Sequence, residues 1–126
     1  MKHKVKAFTL SELLVVLIIV GILVLIALPN LLPLVNRARA IEAKTGLKNI
    51  YQLQEMHQLE FLEYSSSLKE LDFSVKGDQV YDYTIIEADE NSFIAQAKAT
   101  KDFDKDGNYN TWTVDEEMNI KEVVKD

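Results

Sequence analysis

The chain has 126 residues, no cysteine and a formal net charge of −6. Without cysteine no disulfide can stabilise the fold, and the acidic balance argues against binding to nucleic-acid phosphates. The charge is unevenly distributed. Three of the 14 basic residues, Lys2, Lys4 and Lys6, lie at the N-terminus, whereas residues 37–126 hold 11 basic and 19 acidic residues. We therefore expect a basic N-terminal tag followed by an acidic soluble domain.

An apolar segment follows the basic tag. Residues 13–35 are almost entirely Leu, Ile, Val, Ala, Gly and Pro, and no charged residue occurs between Leu13 and Pro29. A helix needs about 20 apolar residues to cross a bilayer, and a core helix of a small domain would show a polar stripe. The run is too long for a secretory signal peptide, and no small-residue cleavage site follows it. The segment predicts a membrane-spanning helix whose N-terminus lies in the cytoplasm, because the lysines precede it.

Two residues weaken this predicted helix. Gly21 costs about 1 kcal/mol relative to alanine, and Pro29 removes a backbone donor and clashes with the preceding turn. They are compatible with an ordinary kinked span or with a helix that stretches when it leaves lipid.

A single carboxylate, Glu12, lies at the start of the apolar run. An ionised carboxylate close to hydrocarbon is costly and calls for a partner or a function. In the simplest interpretation, Glu12 lies in the first helical turn and is stabilised by the helix dipole. In the second, it pairs with an α-amino group, which a cut before Phe8 would create four residues away.

The string "KAFTLSELLVVLIIVGIL", residues 6–23, resembles the N-terminal signature of type IV prepilins and pseudopilins. The matching positions are Phe8, Thr9, Leu10, Glu12, Gly21 and Pro29. The resemblance implies that a prepilin peptidase cuts between Ala7 and Phe8 and methylates the new amine of Phe8. It also implies a helical filament in which Glu12 pairs with the Phe8 amine of a neighbouring subunit. The family usually has glycine before the cut. Ala7 adds one methyl group there, so we expect cleavage to be retained at an equal or lower rate.

The segment from residue 36 to about residue 64 has a helical pattern with one glycine and no proline. The apolar positions form an unusually wide set. One face holds Leu47, Ile50, Tyr51 and the polar Gln54, joined by Phe61 and Leu62, and partly off it lie Leu53, Met56 and Leu59. We expect one surface of this helix to face its own sheet and the other to face further subunits.

The remaining chain predicts one short helix and four strands. "YSSSLKELDF", residues 64–73, has a capping box of Ser67 and Glu70 and predicts a short helix. The pattern then alternates with period two in "VYDYTIIEAD", "NSFIAQAKAT", "NTWTVD" and "NIKEVV". These segments predict a four-strand antiparallel meander with Trp112 in its core. The expected fold is α+β and pilin-like: a long N-terminal membrane-spanning helix packed on a small antiparallel β-meander.

An aspartate-rich loop, "DFDKDGNYNTWTVD", covers residues 102–115. Its first half has the spacing of a calcium loop. The candidate ligands are Asp102, Asp104, Asp106, Asn108, Asn110 and Asp115. The twelfth position is Thr113 rather than glutamate, and strands flank the loop, which excludes an EF-hand helix pair. The prediction is a Ca²⁺ site, and its alternative is a solvated acidic turn. Some major pseudopilins hold calcium in a C-terminal loop, and the resemblance favours the site.

These features predict a cleaved leader (residues 1–7), a transmembrane and assembly helix (8–35) and a periplasmic pilin-like domain (36–126). The expected function is a non-enzymatic filament subunit, a pseudopilin of a type II secretion system; the alternative is a type IV pilus pilin. The expected partners are further copies of the chain, the inner membrane, prepilin peptidase, an assembly platform protein and minor pseudopilins. Nucleic acid is not expected. A membrane-anchored enzyme is disfavoured because His3 and His57 have no apparent nucleophile beside them. A periplasmic binding module on an anchor would not need Glu12.

Overall fold

The computed structural model describes residues 7–75 and 77–125, apart from the side chain of Leu32. The basic part of the predicted leader, residues 1–6, lies outside the described residues. The described chain contains helix α1 (Leu10–Phe61) and four strands: β1 (Tyr81–Ala88), β2 (Phe93–Ala99), β3 (Thr111–Asp115) and β4 (Ile120–Val124). The chain divides into two compact units, one ending at Arg37 and the other beginning at Ala38.

The first unit is the apolar part of α1. Every large apolar side chain described between Leu10 and Val35 is at least 42% exposed. Within the described residues, α1 is the one helix long and apolar enough to cross a membrane. The 23 residues from 13 to 35 would extend about 35 Å at 1.5 Å per residue, which matches a hydrocarbon core of about 30 Å. A soluble chain rarely leaves so much apolar surface uncovered.

The second unit contains the four-strand sheet, in the order β1-β2-β3-β4 with every neighbouring pair antiparallel. The predicted meander and the α+β fold are confirmed. Alternation places one face of β1, β2 and β3 inward, as the period of two predicted, whereas β4 buries no residue fully. The core joins this face to residues of α1, and its members are Ala43, Leu47, Ile50, Leu71, Tyr81, Phe93, Ala95, Ala97, Ala99, Trp112 and Val114. Trp112 is 8% exposed, so its predicted place in the core is confirmed.

One glycine allows β1 to approach α1 closely. The phenol of Tyr83 lies directly over Gly46, and a Cβ at position 46 would overlap the ring. The Tyr83 hydroxyl donates a hydrogen bond to the carbonyl of Glu42 (3.2 Å), one turn earlier in the helix. Phe73 packs against the edge of the same ring, with centroids 5.3 Å apart. The absence of a side chain at Gly46 is therefore a packing requirement.

The end of α1 differs from the expectation. Phe61 and Leu62 are 57% and 74% exposed, so their predicted place on the buried face is wrong. The helix ends at Phe61, and Leu62 takes a positive φ of 61°. This left-handed residue turns the chain before position 62 can continue the buried stripe.

The predicted short helix at residues 64–73 is also wrong, because this segment is a turn. Phe73 N–H donates to the Leu68 carbonyl and Asp72 N–H to the Lys69 carbonyl, at 3.1 and 3.2 Å. Asp72 has a positive φ of 57°. These features belong to a Schellman C-cap, which closes the segment after a single turn. Ser67 does not cap it as predicted; instead the hydroxyl of Ser65 donates to Glu70 Oε2 at 2.6 Å.

A buried glutamine holds this turn against α1. Gln54, which is fully buried, pairs with the backbone of Ser65 through both ends of its amide. Its Nε2 donates to the Ser65 carbonyl at 2.7 Å, and its Oε1 accepts from the Ser65 amide at 2.8 Å. Gln54 therefore lies on the predicted buried face because it fastens the turn, not because it is apolar.

Candidate functional site

The predicted cleavage point lies just outside α1. Ala7 and Phe8 precede the first helical residue, Leu10, and both are exposed. The Phe8 side chain is 79% exposed. A protease needs an accessible, non-helical backbone, and the bond between Ala7 and Phe8 meets both conditions.

A reciprocal capping box fixes the start of the helix. The amide of Thr9 donates to Glu12 Oε2, and the amide of Glu12 donates to the hydroxyl of Thr9, both at 3.2 Å. Two helix-start donors that lack intrahelical partners are thereby satisfied. Glu12 thus occupies the first turn, in keeping with the simpler of the two interpretations, and its carboxylate remains exposed. Sequence reasoning did not identify the role of Thr9, although the spacing Thr-x-x-Glu is the signature of this motif.

Glu12 borders a shallow apolar groove of about 390 Å³. Its lining consists of Phe8, Ser11, Glu12, Val15 and Val16. A single carboxylate on an otherwise apolar surface favours a partner that is itself apolar and carries one positive charge. An α-amine at the start of an apolar helix has this chemistry.

Gly21 and Pro29 both lie within α1, which continues through Pro29 and Pro33. No described atom lies within 4 Å of a Cβ built on Gly21, so packing does not require glycine there. Pro29 lacks the N–H that would bind the Leu25 carbonyl. The side chain of Asn30 donates to the neighbouring Ile26 carbonyl at 3.3 Å. The predicted flexibility of both positions stays a prediction.

The first three predicted metal ligands come together in the aspartate loop. One carboxylate oxygen from each of Asp102, Asp104 and Asp106 lies within 4.8 Å of the others. Oxygens of one calcium shell, each about 2.3–2.6 Å from the ion, have separations up to about 5 Å. Asp102 also accepts hydrogen bonds from the amides of Lys105 (2.8 Å) and Gly107 (2.6 Å). The loop amides thus stabilise these charges themselves.

The last two predicted ligands, Asn110 and Asp115, have other roles. The Oδ1 of Asn110 accepts from Tyr81 Oη (2.6 Å) and Trp112 Nε1 (2.8 Å), which uses both of its lone pairs. Asp115 ends β3, about 13 Å along the strand from Thr111 at its start. Asn108 remains exposed beside Asp106, and its backbone N–H donates to Asp106 Oδ1 at 2.8 Å. Asn110 and Asp115 therefore drop out of the predicted ligand set.

Asp115 instead shapes the turn between β3 and β4. Its Oδ1 accepts from the amides of Glu117 (3.0 Å) and Asn119 (2.9 Å). Burial opposes ionisation of this carboxyl, but the hydrogen bonds from Asn119 and Glu117 outweigh it and lower its pKa. An aspartate in this position is an Asx-turn residue.

His57 has no serine hydroxyl within hydrogen-bonding distance among the described residues. Its Nδ1 lies 2.9 Å from the carbonyl of Glu63, and its Nε2 lies 4.0 Å from Glu70. Ser65 is bonded to Glu70 rather than to the histidine. In this arrangement His57 ties the end of α1 to the following turn.

Comparison with known proteins identifies the N-terminal segment. Residues 2–28 match the family model of the prokaryotic N-terminal methylation motif. The chain is 38% identical over 80 residues to the type IV major pilin protein PilA of Myxococcus xanthus, covering 64% of this chain and 36% of that protein. It is 39% identical over 62 residues to the type IV wide pilus major component PilA4 of Thermus thermophilus, covering 49% and 47%. The chain thus spans between a third and a half of these relatives.

Both relatives are pilus subunits. They therefore favour the alternative, a type IV pilin, over the predicted type II secretion pseudopilin. The methylation motif covers Ala7, Phe8, Glu12 and Gly21. The motif and these relatives show that the N-terminal part of the chain is similar to that of type IV prepilins.

Proposed function

We propose that the chain is the subunit of a type IV pilus-like filament. A prepilin peptidase would remove residues 1–7, and the new amine of Phe8 would be methylated. The apolar part of α1 would anchor the subunit in the inner membrane, with the unit from Ala38 onward on the periplasmic side. Assembly would transfer this helix from lipid into a bundle of equivalent helices, forming an extracellular pilus.

The observation that carries the proposal is the uncovered apolar helix of the first unit, whose first turn contains the exposed carboxylate of Glu12. A membrane would account for the apolar side chains and the capping box for a hydrogen-bond acceptor at position 12, but glutamine would serve the box without placing a charge beside hydrocarbon. A filament accounts for both the apolar side chains and the charge, because neighbouring helices cover the apolar surface and supply an amine for the carboxylate. A buried ion pair is strongly destabilised, by about 3–5 kcal/mol, when one partner is removed. Glu12 would therefore disfavour subunits that dock out of register.

The decisive variant is Glu12→Gln. Glutamine is also accepted at the third position of a capping box, so the hydrogen bond from Thr9 and the start of the helix are retained while the charge is lost. The matched control is Glu60→Gln, the same substitution at an exposed glutamate near the other end of α1.

Filaments sheared from cells would be counted by electron microscopy, and the membrane-bound subunit would be quantified and weighed by intact-mass spectrometry. We expect Glu12→Gln to yield a normal amount of processed, membrane-inserted subunit but few filaments, and Glu60→Gln to behave as the unchanged chain. Abundant filaments from Glu12→Gln would show that assembly does not need the proposed pairing of Glu12 with the Phe8 amine. If the measured mass does not match a chain that begins at methylated Phe8, the proposed cleavage and methylation are wrong. Filaments confined to the periplasm would favour a pseudopilin.

A further inference from the structure

A polar groove lies on the sheet face opposite the core. It has a volume of about 370 Å³, within the lower range of small-molecule sites, and lies wholly in the second unit. Its lining consists of Asp82, Thr84, Gln96, Lys98, Ala99, Thr100 and Tyr109. Ala99, at the floor of the groove, also belongs to the core. The other six residues lie outside the core, the assembly helix and the aspartate triad.

The strand register places four side chains in a compact block. Asp82 pairs with Lys98, and Thr84 pairs with Gln96, on neighbouring antiparallel strands. The four residues alternate with the inward-facing Tyr81, Tyr83, Ala95 and Ala97, so all four point outward. Cross-strand partners have Cβ atoms about 4.5–5.5 Å apart. The block therefore presents a carboxylate, an ammonium, an amide and a hydroxyl within the width of one small ligand.

These groups are free to bind. Among residues 7–75 and 77–125, no hydrogen bond or ion pair engages the side chains of Asp82, Thr84 or Gln96. The ammonium of Lys98 lies over the ring of Tyr109, 5.6 Å from its centroid, rather than against its cross-strand partner Asp82. The lysine therefore stands beside the aromatic wall and leaves the Asp82 carboxylate open. Tyr109 is itself 41% exposed.

The chemistry of the lining selects the class of ligand. The charges of Asp82 and Lys98 cancel, which favours a neutral ligand over an anion or a cation. A carboxylate only accepts hydrogen bonds and an ammonium only donates them, whereas amide and hydroxyl groups do both. A ligand with several adjacent hydroxyls can pair with all four groups of the block, because each hydroxyl both donates and accepts. An exposed aromatic ring offers a surface for the C–H groups of a sugar.

We propose that this groove binds a neutral saccharide, one or two sugar residues long. The inference is independent of filament assembly, since every residue involved lies on one chain. Because the groove is open and leaves much of the ligand in solvent, the expected Kd is in the millimolar range. The residue expected to contribute most specifically is Gln96, which is half-buried at the centre of the block and reaches the ligand with both a donor and an acceptor.

The test uses the full chain, ¹⁵N-labelled, in micelles of a detergent without a sugar headgroup, such as dodecylphosphocholine. The probes are cellobiose and maltose, with glucuronic acid and glucosamine as charged comparisons. We expect the neutral disaccharides to shift the NMR signals of Thr84, Gln96 and Lys98. Gln96→Ala should weaken binding about tenfold, because its hydrogen bonds to the sugar are lost. Asp82→Asn, which preserves shape, should weaken it as well.

The matched control is Gln52→Ala, the same substitution at an exposed glutamine of α1 outside the groove. It should leave the saccharide affinity unchanged. The proposal is overturned if no neutral disaccharide shifts the groove signals, or if the shifts lie elsewhere. It is also overturned if a charged sugar binds more tightly than the neutral ones, or if Gln96→Ala binds as well as Gln52→Ala.

Discussion

Asn110 joins three strands through a single side chain, and its removal gives the sharpest test of how the soluble unit is held together. Its Oδ1 accepts from Tyr81 Oη and Trp112 Nε1 at 2.6 and 2.8 Å. Its Nδ2 donates to Glu122 Oε1 (2.8 Å) and to the Val124 carbonyl (2.9 Å). The residue is 6% exposed. All four of its hydrogen-bonding positions are occupied, and two of them hold β4.

The cost of Asn110→Ala follows from the groups left behind. The Tyr81 hydroxyl and the Trp112 N–H would remain buried without an acceptor. Each unsatisfied buried donor costs about 1–3 kcal/mol, so the expected loss is roughly 2–6 kcal/mol of a total stability of about 5–15 kcal/mol. A loss of 1 kcal/mol lowers Tm by about 4–8 °C in a domain of this size, which predicts a fall of at least about 8 °C.

Thermal unfolding of the full chain in micelles, followed through the fluorescence of the single tryptophan, Trp112, measures this loss. Asn108→Ala is the control, because Asn108 is exposed in the same loop and its side chain makes only a 3.4 Å contact with Asp106; its change should stay within about 0.5 kcal/mol. In Asn110→Ala, hydrogen exchange of residues 120–124 should accelerate. A Tm within 3 °C of the unchanged chain would mean that the two donors are not left unsatisfied, since it corresponds to a loss of less than about 1 kcal/mol.

Three further predictions concern the same unit. Gly46→Ala should destabilise it by about 1–3 kcal/mol, because the new methyl group would overlap Tyr83. Gly21→Ala should not, because no described atom lies near that position. Equal urea midpoints for the two variants would contradict the close contact between Gly46 and Tyr83. Burial raises the pKa of Tyr81 and of Tyr83 to about 12, while tyrosine in the unfolded chain titrates near 10. The two phenols therefore stay protonated to higher pH in the folded state than in the unfolded state. Their contribution to the free energy of unfolding should be fully present below about pH 10 and should be lost as the pH rises towards 12. A urea midpoint that stays constant over this range would exclude the effect. If calcium binds the aspartate loop, it should raise Tm relative to chelator, by an amount equivalent to about 2.7 kcal/mol at a hundredfold excess over Kd. Asp104→Asn should abolish the rise and Asp78→Asn should not; identical melting curves with calcium and with chelator would leave a solvated acidic turn.

The strands and the long helix were predictable because their signals are local. Tyr81, Tyr83 and Ile85 alternate along β1, and Phe93, Ala95 and Ala97 along β2, so the period of two identified both strands and their inward faces. The short helix at residues 64–73 failed for a physical reason. Its capping box was a local pattern, but Ser65, held by the distant Gln54, took the hydrogen bond to Glu70 instead.

The candidate sites divide in the same way. Asp102, Asp104 and Asp106 are close in sequence and the structure brings them together. Asn110 and Asp115 were grouped with them by spacing, but strand β3 carries Asp115 away and the core captures Asn110. The capping role of Thr9 was not predicted although its motif is local, because the charge of Glu12 has a functional explanation that does not involve its position in the helix. The polar groove depends on cross-strand register, which no single segment displays.

The glycine beneath Tyr83 also determines where the sheet is attached along the helix. Moving β1 by one helical turn, about 5.4 Å, would place the ring over Glu42 or Asn49, where a side chain blocks the approach. Gly46 therefore fixes the position of the sheet along the axis of residues 38–61, and the loops of the sheet are fixed with it. If the chain forms the proposed filament, the polar groove and the aspartate loop would recur with the rise of the helix bundle. Gly46 would then set where these features lie along each subunit, and the helix bundle would set the distance between successive copies.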